Sequence, residues 1–135
     1  MTAPLSISEM FAPLWSIIPD FREKCLALSL AGLEPHQTLP YAVLSELASY
    51  LIGQLKNGDT DGFKEIFELV EEWHIYGDDD VRTAATIGLL EDLQNPALHG
   101  QTAPEQFRKW LLPETAIWWQ KVEDFWFATA SSVQN

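Results

Sequence analysis

The sequence predicts an all-α protein, a single-domain bundle of six or seven helices, on three observations. Apolar residues recur at three- and four-residue intervals over several stretches. No segment sustains the period-2 alternation of a half-buried strand. The strongest breakers, Asn57-Gly58, Gly77, Asn95-Pro96 and Pro113, fall between helical patterns. At 135 residues and 47% hydrophobic content, the chain can bury a core without covalent staples.

Ser6 and Glu9 make the S-x-x-E pattern of a capping box, opening a short helix with Met10, Phe11, Leu14 and Trp15 that Pro13 shortens or bends. A second helix starts at Pro19 or Asp20 and stops at Gly32, before a loop over 34–39. Pro40 suits the first position of a third helix reaching Lys56, where Leu44, Leu47, Ala48, Leu51 and Leu55 form one apolar stripe. Asn57-Gly58 ends it.

Asp59, Thr60 or Asp61 caps a fourth helix that runs to about Tyr76. Phe63, Ile66, Phe67, Val70 and Trp73 or His74 face inward; Lys64, Glu65, Glu68, Glu71 and Glu72 face outward. Gly77 is placed as its C-terminal cap, and Asp78 to Asp80 supply the N-cap and acidic first turn of a fifth helix over about 79–94. Val81, Ala84, Ala85, Ile87, Gly88, Leu89, Leu90 and Leu93 make that helix apolar over much of its circumference. It is therefore expected to be central and buried, with Gly88 allowing close backbone approach. After a loop over 96–103, a short helix beginning at Thr102 or Ala103 breaks at Leu111 to Pro113. A last amphipathic helix runs from Glu114 to about Ala128, with Trp118, Val122 and Phe125 on one side and Trp119 and Trp126 adjacent. Residues 1–5 and 129–135 read as frayed ends.

Charge is distributed unevenly along this framework. Residues 59–92 hold 11 acidic residues against Lys64 and Arg82, a net −9 out of the whole chain's −12. Such a surface disfavours direct contact with nucleic acid or anionic lipid, which reward Lys and Arg, and favours a basic protein partner. Glu65, Glu68 and Glu72 project from one helix face, where mutual repulsion is relieved by an approaching cation. The plain alternative is a solvated face that keeps a small protein soluble. The single Cys25 forms no internal disulfide, and its neighbours Leu26, Ala27 and Leu28 predict a buried thiol in a reducing, cytoplasmic setting. The N-terminus has no basic n-region, and no run approaches the roughly 20 apolar residues that span a bilayer.

Motifs that carry chemistry are sparse. Asn57, Asp59, Asp61, Gly62 and Glu68 have the spacing of EF-hand positions, but a neutral first ligand and Lys64 inside the loop favour a helix cap followed by a solvated face. A calcium-responsive module is the weakest of the functional readings. Glu71 and His74 have the E-x-x-H spacing of di-iron bundles without the second copy such a centre requires. His36 and His99 lie in loops without ligand partners, and Asp78 to Asp80 are explained by helix capping. No G-x-S-x-G elbow, G-x-G-x-x-G or P-loop is present, and the context of Cys25 offers nothing to lower its pKa. The expectation is a protein that catalyses nothing and holds no cofactor or metal. It binds through Glu65, Glu68, Glu71, Glu72, Asp78, Asp79 and Asp80, with Trp118 or Trp119 as an apolar anchor.

Two resemblances follow from quoted segments. GDDDVRTAATIGLLEDLQN resembles the second helix of a HEAT-type repeat through Asp80, Val81, Arg82, Ala85 and Leu89 to Leu90, implying a HEAT-like helix pair but, from one copy, no solenoid. FELVEEW, that same segment and LLPETAIWW together resemble a family of small acidic helical bacterial proteins, over about residues 40–120. The family includes immunity proteins of polymorphic or contact-dependent toxin systems. The resemblance implies binding to one cognate, basic toxin domain and no direct contact with nucleic acid or membrane. The alternative is a helical adaptor or regulator, including a phage-derived mimic of nucleic-acid charge.

Overall fold

Ser6 opens the first helix through the Glu9 half of the expected capping box: its amide donates to Glu9 Oε1 at 3.2 Å, while the Glu9 amide donates to the Ser6 backbone carbonyl at 3.0 Å. The computed structural model describes residues 3–27 and 40–134, with Leu26 and 127–134 described by backbone only. The expected stop at Gly32, the loop over 34–39 and His36 lie outside the described residues.

Helix α1 spans Ile7–Met10 and α2 spans Ala12–Ile17, with Pro13 in the first turn of α2, so the proline divides the expected single helix in two. Helix α3, Pro19–Leu26, also begins at a proline. Cys25 is fully buried there. Burial, reinforced by Glu46 and only partly opposed by Lys24, pushes its thiol up to about 11, consistent with an inert core cysteine. Helix α4, Pro40–Asn57, buries Val43, Leu44, Leu47, Ala48, Leu51 and Ile52. It ends at Gly58, whose φ of 75° is left-handed backbone that glycine adopts without a Cβ penalty.

Helix α5, Phe63–Tyr76, begins later than the sequence suggests, with Gly62 and no side chain at its N-cap. Asp59 instead accepts from the Gln54 side-chain amide at 3.0 Å, fastening the turn to α4. Both Trp73 and His74 are buried, and Trp73 Nε1 donates to the Met10 carbonyl at 2.9 Å, tying α5 to α1. At the far end, Leu5 is not frayed. Its amide donates to the Tyr76 carbonyl and its carbonyl accepts from the Asp78 amide, both at 2.8 Å.

The 79–94 segment is one continuous rod with a change of pitch. Helix α6, Asp79–Thr83, passes into a π-helical stretch, Ala84–Leu90, and then into helix α7, Glu91–Gln94. Asp78 caps it by accepting from the Val81 amide at 2.8 Å. A regular α-helix turns about 100° per residue, which would set Leu90 on the side opposite Val81. The i→i+5 bonding, seen where the Glu91 amide donates to the Thr86 carbonyl, widens the turn and slows that rotation. Val81, Ala84, Ala85, Gly88, Leu89, Leu90 and Leu93 are thereby all buried. The rod is central, packing on α4, α5 and α8, but it is not buried all round: Ile87 is 52% exposed. Gly88 takes the expected close approach, since a Cβ there would lie 3.0 Å from both Leu44 Cδ1 and Tyr41 Cδ1.

The expected short helix near residue 103 is a 3-10 helix, Pro104–Trp110, preceded by a 3-10 turn at Pro96–Leu98. Phe107 and Trp110 anchor it to α5, with ring centroids 6.0 and 4.8 Å from that of Phe63. Helix α8 spans Pro113–Gln134, so the backbone expected to fray beyond 128 continues as helix. The architecture is a small all-α bundle; among the described residues the only extended pairing is the isolated bridge between Leu5 and Gly77.

Candidate functional site

Nine residues carry the sequence's binding expectation, and the fold sorts them into three groups. Glu65, Glu68 and Glu72 are exposed on α5, and with Leu69 they line a shallow groove completed by Pro13 and Ile17 of α2. Among the described residues none of these three carboxylates forms a salt bridge. Ion pairs among the described residues lie elsewhere, including Lys24 with Glu46, Arg82 with Asp79, and Arg108 with both Glu105 and Glu123. The acidic face is therefore real, but smaller than the sequence suggests.

The second group sits near the start of the central rod. Asp78 is half-buried and occupied as the helix cap; Asp79 is exposed and pairs with Arg82 at 2.8 Å; Asp80 is exposed. None of these three lines the groove of Glu65, Glu68 and Glu72, and the exposed Ile75 and Tyr76 lie between the two groups in sequence.

Glu71 and Trp119 belong to the interior, which corrects two of the expected contacts. Trp119 is fully buried and its Nε1 donates to Glu123 Oε1 at 2.6 Å, whereas Trp118 is half-buried beside it. Adjacent residues on a helix point about 100° apart, so only one of the pair can face the core. Glu71 is buried because the N-terminus of α8 lies on it. Its carboxylate accepts from the Glu114 amide at 2.9 Å and from the Thr115 amide and hydroxyl, each at 2.7 Å. Burial alone would raise the pKa of Glu71; the Thr115 hydroxyl and the two amides outweigh it and hold the carboxyl below its ordinary value. The positive end of the α8 dipole adds to that preference.

His74, one turn along α5, continues this polar seam. Its Nδ1 lies 2.9 Å from the Val70 carbonyl, which can only accept, so Nδ1 carries the proton. Nε2 is then the acceptor for the Thr86 hydroxyl, 3.1 Å away in the π-helical stretch. Burial lowers the pKa of His74, against the Val70 carbonyl and the charges of Glu71 and Glu114, which favours the neutral ring. Trp118 stacks over it, centroids 6.5 Å apart and planes 19° apart. The E-x-x-H spacing noted in the sequence thus serves to join α5, α8 and the rod. Among the described residues no group of three or more His, Cys, Asp and Glu is gathered to hold a metal. In the EF-hand-like stretch, Asp59 is tied to Gln54 while Glu68 lies on the exposed face of α5.

Sequence reasoning missed the outer side of the π-helical stretch. Thr86, Ile87 and Trp118 line a continuous groove between the rod and α8, with Phe125 exposed at one end. The signal was present in the aliphatic Ile87, but α-helical phasing gave no reason to separate it from its buried neighbours.

These features define a small all-α protein with an acidic face on one helix and an apolar groove on another. The chain belongs to the family described as Domain of unknown function (DUF7674), matched over residues 11–126, a span that includes both surfaces. No curated protein and no solved structure matches the chain. No helix among the described residues is long and apolar enough to cross a membrane.

Proposed function

We propose that this protein binds and neutralises a cognate basic protein, a bacterial toxin domain, through the exposed face of α5, and carries out no reaction itself. The observation that supports it is the set of three carboxylates, Glu65, Glu68 and Glu72, that form no salt bridge among the described residues and line a groove together with Pro13, Ile17 and Leu69. A cationic segment laid there gains charge neutralisation from the carboxylates and apolar contact from the other three residues. The identity of the partner as a toxin rests on the resemblance of FELVEEW, GDDDVRTAATIGLLEDLQN and LLPETAIWW to immunity proteins. Toxin domains that attack nucleic acids present cationic grooves for phosphate, and an acidic inhibitor competes for them.

The test is to purify the chain together with the small basic protein encoded beside it and measure association with and without Glu68→Lys and Glu72→Lys. Both positions are exposed, so helicity should be unchanged. The double variant should associate at least about tenfold more slowly, with the difference shrinking as salt is raised, and should lose protection. Normal binding and protection by that variant would remove the acidic face from the mechanism.

A further inference from the structure

The groove between the rod and α8 has a character unlike the α5 face. Its two parts, about 360 and 250 Å³, share Thr86, Ile87 and Trp118. Ile87 is 52% and Phe125 59% exposed, so both present apolar surface to solvent along the groove. Its walls are fixed in advance. Thr86 is held by His74, and Trp118 is held by the His74 stack, by Glu114 Oε1 accepting from its Nε1 at 3.3 Å and by Lys121 Nζ 4.3 Å over its ring. Occupying such a groove costs little side-chain ordering, which favours affinity.

The rim charges are balanced. Asp79 and Arg82 stand at one end, Glu91 and Lys121 at the other, in a chain whose net charge is −12. A strongly cationic partner finds no excess of carboxylate to neutralise here. Two copies of an acidic chain, which repel each other over most of their surfaces, meet at least cost where each brings one charge of either sign to each end. Two-fold pairing makes the same demand, because each residue must find its complement on an identical surface. We infer that this groove is the interface with a second copy of the chain, in which Ile87 and Phe125 of each protomer fill the groove of the other and Lys121 faces the second copy's Glu91. The α5 face, which lines a different groove, stays free, so this inference stands independently of the proposed partner.

Sedimentation velocity on the full chain over a concentration series tests it, with circular dichroism confirming that each variant is folded. The expected result is a concentration-dependent dimer. Ile87→Asp and Phe125→Asp, at exposed positions that the fold does not need, should each weaken it about thirtyfold or more. Lys121→Glu and Glu91→Lys should each weaken it, and the double exchange should restore it. A chain that is monomeric at every concentration, a dimer indifferent to both aspartate variants, or a double exchange that fails to restore association would each overturn the inference.

Discussion

Glu71 of α5 is the N-terminal cap of α8: its Oε1 accepts both the amide and the hydroxyl of Thr115, each at 2.7 Å, across a separation of 44 residues in sequence. Two helices are thereby held end to side by one carboxylate, with His74 and Thr86 extending the polar seam to the central rod.

Removing the cap should be costly. Glu71→Ala leaves the Glu114 and Thr115 amides and the Thr115 hydroxyl buried without an acceptor, and is expected to lower stability by about 3 kcal/mol in urea unfolding. Glu71→Gln keeps one acceptor oxygen and should cost less, about 1–2 kcal/mol. Equal stability of Glu71→Ala and wild type would show that the seam contributes nothing.

The same seam sets a pH dependence. His74 has a folded pKa below its ordinary 6.5, so its contribution is present above 6.5 and is lost as the pH falls from there through the lower folded value. Glu71, whose pKa is held below 4.5, acts in the same direction further down: its contribution is present above 4.5 and lost as the pH falls through its folded value. Asp92 works the other way, because burial, partly offset by the Ser45 hydroxyl, raises its pKa and folding favours its protonated form. Stability measured by urea titration should therefore decline as the pH is lowered below 6.5, and His74→Gln should flatten that first decline. An unchanged slope in the variant would assign the titration to another group.

Gly77 is required for space rather than for backbone conformation. Its φ is −70°, open to any residue, but a Cβ there would lie 2.4 Å from the Trp73 carbonyl oxygen and 2.5 Å from Val81 Cγ1. Gly77→Ala should cost about 1–3 kcal/mol, read as a lower thermal midpoint, because backbone and a buried branched side chain must both give way. Gly62→Ala is the control, since nothing lies within 4 Å of the added methyl. It should be neutral or slightly stabilising.

What is local was legible in the amino-acid pattern. Period and punctuation placed α4 and α5, the capping box at Ser6, the Asp78 cap, the close approach at Gly88 and the burial of Cys25, because each depends on a few neighbouring residues and the geometry of one turn. The exposed carboxylates Glu65, Glu68 and Glu72 were legible for the same reason. The rest depends on packing between elements far apart in the chain. By helical phase Glu71 belongs with its exposed neighbours, and it is interior solely because a helix start 44 residues away lies on it. Trp118 and Trp119 are indistinguishable by composition until α8 chooses which side meets the core. The π-helical stretch rotates Leu90 inward while Ile87 stays in solvent, a change of phase made worthwhile by burial against α4, α5 and α8. Local pattern encodes which residues share a face; where faces meet is set by contacts that no window of the sequence contains.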